Sequence, residues 1–173
     1  MLTLTKGWDQ YVAGFGSVLG DHWLGLQVIH TLCPPSKPCG LRVDMKDPYF
    51  QNGKLVWAEY AAFSIEGFTG NYRLSLSGYN SSSTAGDAML YPGRFRNQNN
   101  MAFSTHDRDN DKVGLRNCAA SYHGGWWYSG CGAARLNSEF GLRDYVTGVS
   151  WYGHPVDTKF YPNYTEMKVR LHV

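Results

Sequence analysis

Asp107-Arg108-Asp109-Asn110-Asp111 sets three carboxylates at alternate positions in a stretch rich in Gly, Asn, Ser and Asp. A hard dication such as calcium takes about six to eight oxygen ligands, and alternating acids in a turn supply several from one short arc. The segment is not an EF-hand. Counted from Asp107, the sixth residue is Lys112 and the twelfth is Cys118, so the required glycine and bidentate glutamate are both missing. Backbone carbonyls and water would have to complete the shell. The other reading of the same residues is a solvated acidic turn without metal. The histidines at 22, 30, 106, 123, 154 and 172 form no HxxxH pair, so zinc is not expected. His106 and His123 stand near the acidic loop and are candidates to line a site, while His30 follows Val28-Ile29 and reads as a hydrogen-bonded core histidine. Trp126 and Trp127 read as core or pocket floor in preference to sugar platforms. No GxSxG or HExxH signature is present, and Gly14, Gly16 and Gly20 do not make a nucleotide fingerprint, so the expectation is a protein that is not an enzyme.

Cys33 and Cys39 bracket Pro34-Pro35-Ser36-Lys37-Pro38, and Cys118 and Cys131 bracket a longer stretch. No CxxC occurs, and two local pairs read as the disulfides Cys33–Cys39 and Cys118–Cys131. Closing the longer loop would stabilise the fold by roughly 3 kcal/mol in the chain-entropy model. Four reduced thiols in a cytosolic protein are the alternative. The sequons Asn80-Ser81-Ser82 and Asn163-Tyr164-Thr165 favour the secreted reading, with Asn80 and Asn163 as glycosylation sites. Met1 to Lys6 lacks the apolar core of a signal peptide, so a segment of a longer precursor is expected.

These residues must be positioned by one domain, since 173 residues hold one sizeable core. Apolar residues make up 43% and charged residues 17%, a globular composition. The net charge is only +2 and the densest basic cluster is Arg94-Phe95-Arg96, which disfavours a nucleic-acid binder. No apolar run approaches the ~18 residues of a membrane span. Trp8, Tyr11, Val12 and Phe15 share one helical face that Gly14 and Gly16 close. Period-two patterns predict strands through Leu41, Val43 and Met45, through Val56, Ala58, Tyr60 and Ala62, and through Tyr72, Leu74 and Leu76. A last strand runs through Met167, Val169 and Leu171. From about 79 to 162 the periodicity fades into what reads as an ordered loop region holding Trp126, Trp127 and Trp151.

The order of these motifs resembles the fibrinogen C-terminal-like domain over about 7 to 171. The resemblance rests on Trp8…Tyr11…Gly14-Phe15-Gly16, Trp23-Leu24-Gly25 with Ile29-His30, and Leu41-Arg42-Val43-Asp44. It continues through Ala85-Gly86-Asp87, Phe103-Ser104-Thr105, Asp107 to Asp111, Asn117-Cys118-Ala119, Gly125-Trp126-Trp127-Tyr128, Leu136-Asn137 and Glu166 to Arg170. It implies an α+β fold with a central antiparallel sheet and a loop-rich calcium- and ligand-binding subdomain, with the family's N-terminal subdomain expected to be absent from this sequence. On that basis the domain comprises a sheet-containing part at 7–79, a loop-rich part at 80–165 and a returning strand at 166–173. The resemblance also implies Ca2+ held by Asp109 and Asp111 side chains and by the carbonyls of Val113 and Leu115. Its lectin members, of ficolin and tachylectin type, imply a pocket for acetylated groups formed by Cys118, Tyr122, Gly130, Cys131, Tyr145 and Val146, with a cis peptide at Gly130-Cys131. Three positions depart from that pattern: Gly132 stands where a pocket histidine is common, Val146 where alanine is, and Val156 nearest a lost aromatic wall. The function implied is a secreted, calcium-dependent, lectin-like module of innate immunity that binds carbohydrate or acetylated groups on microbes. Departures of angiopoietin-like and tenascin-like kind imply the alternative, a protein-binding receptor-ligand or matrix module. Oligomerisation would come from regions outside this chain.

Overall fold

The computed structural model describes residues 3–143, 147–155 and 158–172. Helix α1 (Trp8–Ala13) buries Trp8 and Tyr11 on one face. It stops at Gly14, whose φ of +91° and close approach to the Leu24 carbonyl leave no room for a side chain. Phe15 therefore lies beyond the helix, in a short strand β1 (Phe15–Gly16) paired with β2 (His22–Trp23). Helix α2 (Leu26–Leu32) follows, and the Cys33–Cys39 disulfide joins its end to the start of β3 (Cys39–Lys46).

The central sheet holds β3, β4 (Val56–Ile65), β5 (Leu74–Tyr79) and β9 (Tyr164–Arg170) in the order β5-β4-β3-β9, all antiparallel. Leu41, Val43 and Met45 are buried as their alternation predicts. The β4 pattern changes phase part-way. Leu41 pairs with Tyr60 but Cys39 pairs with Phe63, so β4 carries one extra residue there. That bulge turns Ala62 off the core face and puts Phe63 and Ile65 on it.

The loop region is more regular than its periodicity indicates. It contains helix α3 (Cys118–Ser121) and a small sheet of β6 (Ala134–Arg135), β7 (Ser150–Gly153) and β8 (Thr158–Phe160). Trp151 anchors this sheet: it is fully buried and its indole N–H donates to the Ala85 and Gly86 carbonyls, both at 3.1 Å. One aromatic core joins all parts. Trp127 meets Phe103 at 5.1 Å, Trp126 at 5.3 Å, Phe63 at 6.3 Å and Trp23 at 6.4 Å between ring centroids. Both tandem tryptophans are fully buried, so they belong to the core.

Asp47 is the polar counterpart of that core. Its buried carboxylate accepts from the Tyr49 N–H at 2.9 Å, from Arg143 Nη1 at 2.7 Å and from the Tyr161 N–H at 2.9 Å. Burial pushes its pKa up, but Arg143 and the two amides outweigh burial and hold it below the ordinary aspartate range. A carboxyl lowered in this way stabilises the fold above its unfolded-state pKa and loses that contribution as pH falls through the folded-state value. Asp47→Asn should lower the unfolding free energy at pH 7 by about 1–3 kcal/mol. In urea titrations the gap between variant and parent should shrink as the pH is brought down through the carboxylate range.

Candidate functional site

The acidic loop is divided between two tasks. Asp107 caps α1. Both of its oxygens accept from the Trp8 N–H, at 3.0 and 3.2 Å, and Oδ1 accepts from Thr105 Oγ1 at 2.6 Å. It thereby satisfies an orphan amide at the start of a six-residue helix. The alternating triad is in effect a pair, Asp109 and Asp111.

Those two are folded tightly onto their own loop. Asp109 Oδ1 accepts from the Asp111 N–H at 3.1 Å. Asp111 accepts from the Val113 N–H at 2.7 Å through Oδ1 and from the Cys118 N–H at 2.8 Å through Oδ2. Burial raises the Asp111 pKa, the Cys118 and Val113 amides oppose this, and the neighbouring Asp109 adds to the rise. Asn110 bonds the Ser104 hydroxyl and the Phe103 carbonyl, and Asn117 bonds the Thr105 carbonyl while capping α3 through Ala120 N–H. The Val113 carbonyl accepts from Arg116 N–H at 3.3 Å, and the Leu115 side chain is fully exposed. Among the described residues no group of three or more His, Cys, Asp or Glu converges. His123 is 3.9 Å from Glu139, and the His106 carbonyl accepts from Asn117.

The Cys118–Cys131 disulfide forms, with 5.3 Å between Cα atoms, and links the acidic loop to the 130–132 turn. The expected cis peptide is not at Gly130-Cys131; the cis bond among the described residues is His154–Pro155. The turn is made instead by positive φ at Cys131 (67°) and Gly132 (73°). Its amides face inward: the N–H groups of Gly130 and Gly132 donate to the Phe95 carbonyl at 3.0 and 3.3 Å. Phe95 packs so closely on Gly130 that a Cβ there would lie 2.6 Å from the ring. A side chain at Gly132 would be strained by the positive φ and would have to displace Gln98, whose Nε2 a Cβ would meet at 2.4 Å. Gln98 is fully buried and donates to the Ala134 carbonyl.

Tyr122 lies beside this turn, buried, with the Arg135 guanidinium 4.0 Å above its ring and Arg116 at 5.1 Å. Cys118, Tyr122, Gly130 and Cys131 therefore share one corner of the molecule, while Tyr145, Val146 and Val156 lie outside the described residues. Sequence reasoning missed Phe95 and Gln98. The only signal for either is the basic-aromatic triplet Arg94-Phe95-Arg96, which reads as charge and not as a turn contact.

The chain matches the family model for the C-terminal globular domain of fibrinogen beta and gamma chains over residues 1–172. This chain belongs to the fibrinogen C-terminal domain family. It is 39% identical to human tenascin-R over 166 residues, which cover 95% of this chain and 11% of that protein. It is also 39% identical to human fibrinogen C domain-containing protein 1 over 177 residues, covering 95% of this chain and 34% of that protein. The fibrinogen-like globe domain of human ANGPTL2 superposes with a TM-score of 0.82 at 32% identity, over 98% of this chain and 74% of that one. Lamprey fibrin D-dimer, solved with the peptide Gly-His-Arg-Pro-amide, gives 0.81 at 28% identity over 98% and 57%. The chain thus spans about a tenth to a third of the length of these curated relatives.

The division of the acidic loop can be tested without any ligand. Asp107→Ala should destabilise the protein by about 1–2 kcal/mol, as loss of a helix cap does. Asp109→Ala, at an exposed position, should stay within about 0.5 kcal/mol of the parent. Thermal or urea unfolding in a chelator reads both.

Proposed function

We propose that this domain is an extracellular recognition module, ordered by calcium, whose binding surface is the cystine-braced corner and whose ligand is a protein or peptide segment. Residues 7–79 with the strand at 166–173 serve as framework, and 80–165 carry the recognition surface. The observation that carries the choice of ligand is Phe95. Its carbonyl takes the two turn amides that would greet an acetyl oxygen, and the residue is 54% exposed, flanked in sequence by Arg94 and Arg96. Exposed aromatic and arginine side chains in one place have the chemistry of a protein-interface anchor. Two disulfides support an oxidising compartment, and Asn80 and Asn163 are offered as glycosylation sites there. The family's binding role supports a non-enzymatic reading. The lectin reading, carbohydrate or acetylated groups on microbial surfaces, has one observation in its favour: Cys118, Tyr122 and Cys131 meet beside the acidic loop.

Calcium fits the donors present. Asp109 and Asp111 side chains, with the Val113 carbonyl and one near Leu115, offer only oxygen, and a hard dication takes such ligands with water completing the shell. When bound, calcium would supply positive charge to the Asp109–Asp111 pair and would hold the loop that hydrogen-bonds Cys118. In its absence, the raised pKa means that ionising Asp111 costs stability above the ordinary aspartate range. Calcium should therefore raise the melting temperature at pH 7, and its affinity should weaken as pH falls through the raised Asp111 value, where protons compete. Asp109→Ala should abolish the calcium-dependent rise.

For the ligand, binding to immobilised extracellular proteins and to acetylated glycans is compared in calcium and in chelator. Saturable protein binding that Phe95→Ala weakens about tenfold or more, and that N-acetylglucosamine does not compete, is the expected result. Saturable binding of acetylated glycans that Phe95→Ala leaves intact would favour the lectin reading instead.

A further inference from the structure

The cystine-braced corner gathers exposed cations from separate stretches of chain. The Arg94–Arg96 stretch is fixed there by the Gly130 and Gly132 amides, which donate to the Phe95 carbonyl at 3.0 and 3.3 Å. Lys112 N–H donates to the carbonyl of Ser129, the residue before Gly130, at 3.0 Å. Arg116 stands two residues before Cys118, whose disulfide to Cys131 closes the group. Arg94, Arg96, Lys112 and Arg116 are all exposed, and among the described residues none of them makes an ion pair. The whole chain carries a net charge of only +2, so four exposed cations in one corner are a local excess. The acids of the adjoining loop, Asp109 and Asp111, accept instead from the Asp111, Val113 and Cys118 amides of that loop.

The three arginines are held against aromatic rings. The guanidinium carbon of Arg94 lies 5.4 Å from the Phe95 centroid and that of Arg116 lies 5.1 Å from Tyr122. Arg96 reaches both Tyr91 and Tyr152, at 5.0 and 5.2 Å. Stacking occupies the face of a guanidinium and leaves its N–H edge, the fork that grips a carboxylate through two parallel bonds. Arg116 uses its Nε on Ser121 Oγ at 2.9 Å. Side chains already held in this way lose less freedom when a ligand arrives. Two exposed apolar residues, Phe95 and Leu115, stand among these cations along the chain.

We propose that the corner takes an acidic peptide segment in which Asp or Glu alternates with apolar side chains. Its carboxylates would meet Arg94, Arg96, Lys112 and Arg116, and its apolar residues would cover Phe95 and Leu115. The inference rests on the reading of this corner as the binding surface and adds the charge of the ligand. A sulfated polysaccharide would also match the cations, but it has no apolar group to place against Phe95 and Leu115, so the mixed surface favours a peptide. A single solvent-exposed ion pair contributes little, so the preference comes from several cations acting together. Opposite charge speeds association and salt screens it, so the preference is sensitive to ionic strength.

The test immobilises the 173-residue chain in calcium buffer and measures binding of three dodecapeptides, repeats of Glu-Phe-Ser, Gln-Phe-Ser and Lys-Phe-Ser. At low salt the Glu peptide should bind about tenfold or more tighter than the Gln peptide, and the Lys peptide should bind weakest. High salt should remove most of that advantage. The double variant Arg94→Gln/Arg116→Gln should keep the parent's melting temperature and bring the Glu and Gln peptides to similar affinity. Phe95→Ala should weaken both of these peptides alike, which reads the corner independently of charge. Equal binding of the Glu and Gln peptides to the parent, with both weakened by Phe95→Ala, overturns this inference and leaves the corner as the binding surface. A preference that the double variant abolishes and Phe95→Ala leaves untouched supports the inference and contradicts Phe95 as the anchor. Absence of binding at millimolar peptide, a Glu preference that survives the double variant, or a heparin hexasaccharide that binds tighter than the Glu peptide each overturns the proposal.

Discussion

Tyr11 is the point at which the sheet-bearing part and the loop-rich part of the chain become one structure. Its ring is fully buried against Phe15, Trp23 and Phe103, at centroid distances of 5.1, 5.5 and 5.2 Å. Its hydroxyl donates to the Leu4 carbonyl at 2.6 Å and accepts from the Gly125 N–H at 3.0 Å. Its carbonyl accepts the Trp23 indole N–H at 2.9 Å. One residue of the first helix therefore binds the N-terminal segment, the β2 strand and the backbone just before Trp126-Trp127. Gly125 is required by the same contact, since a Cβ there would lie 2.7 Å from the Tyr11 ring. Burial drives the phenol pKa well above its ordinary value, so the hydroxyl keeps its proton and both bonds across any ordinary pH range.

From that anchor the order passes outward through polar contacts more than through regular ladders. Ser104 and Trp126 exchange backbone bonds at 3.0 and 3.1 Å, which sets the start of the acidic loop against the tandem tryptophans. Lys112 N–H donates to the Ser129 carbonyl at 3.0 Å, which sets the end of that loop against the turn bearing Cys131. Asp107 returns a bond to α1, closing the circuit to the helix that carries Tyr11. A region with few strands can be well ordered in this way, because its buried amides and carbonyls are satisfied by side chains and loop backbone. The disulfide between Cys118 and Cys131 then holds two loops that are each already docked.

Much of this was legible in the residues. Long strands with clean alternation, such as β3 and β9, announce themselves because a half-buried sheet face imposes period two. The fibrinogen-type fold followed from the order of many motifs, and the disulfide pairing from local cysteine spacing. The failures have distinct physical causes. The phase change in β4 depends on a one-residue bulge opposite Gly40, which side-chain pattern alone does not encode. Strands of two to four residues, β6 to β8, are too short to show a period and exist because Trp151 and Phe160 are buried. At the site, the acidic spacing identified the right loop but could not show that Asp107 belongs to α1, across 99 residues of chain. Gln98 and Phe95 act through space on Gly132 and Gly130, and nothing in Asn97-Gln98-Asn99-Asn100 distinguishes a buried amide from a polar turn.

The central claim is that the cystine-braced corner is ordered from the aromatic core through Tyr11, and the most direct measurement is amide hydrogen exchange on Tyr11→Phe. The substitution keeps the ring and leaves the buried Gly125 N–H without its acceptor. The account predicts faster exchange at Gly125 and across 118–132, while β3 and β9 keep their protection. Unchanged protection across 118–132, or a uniform loss that includes β3 and β9, would contradict it.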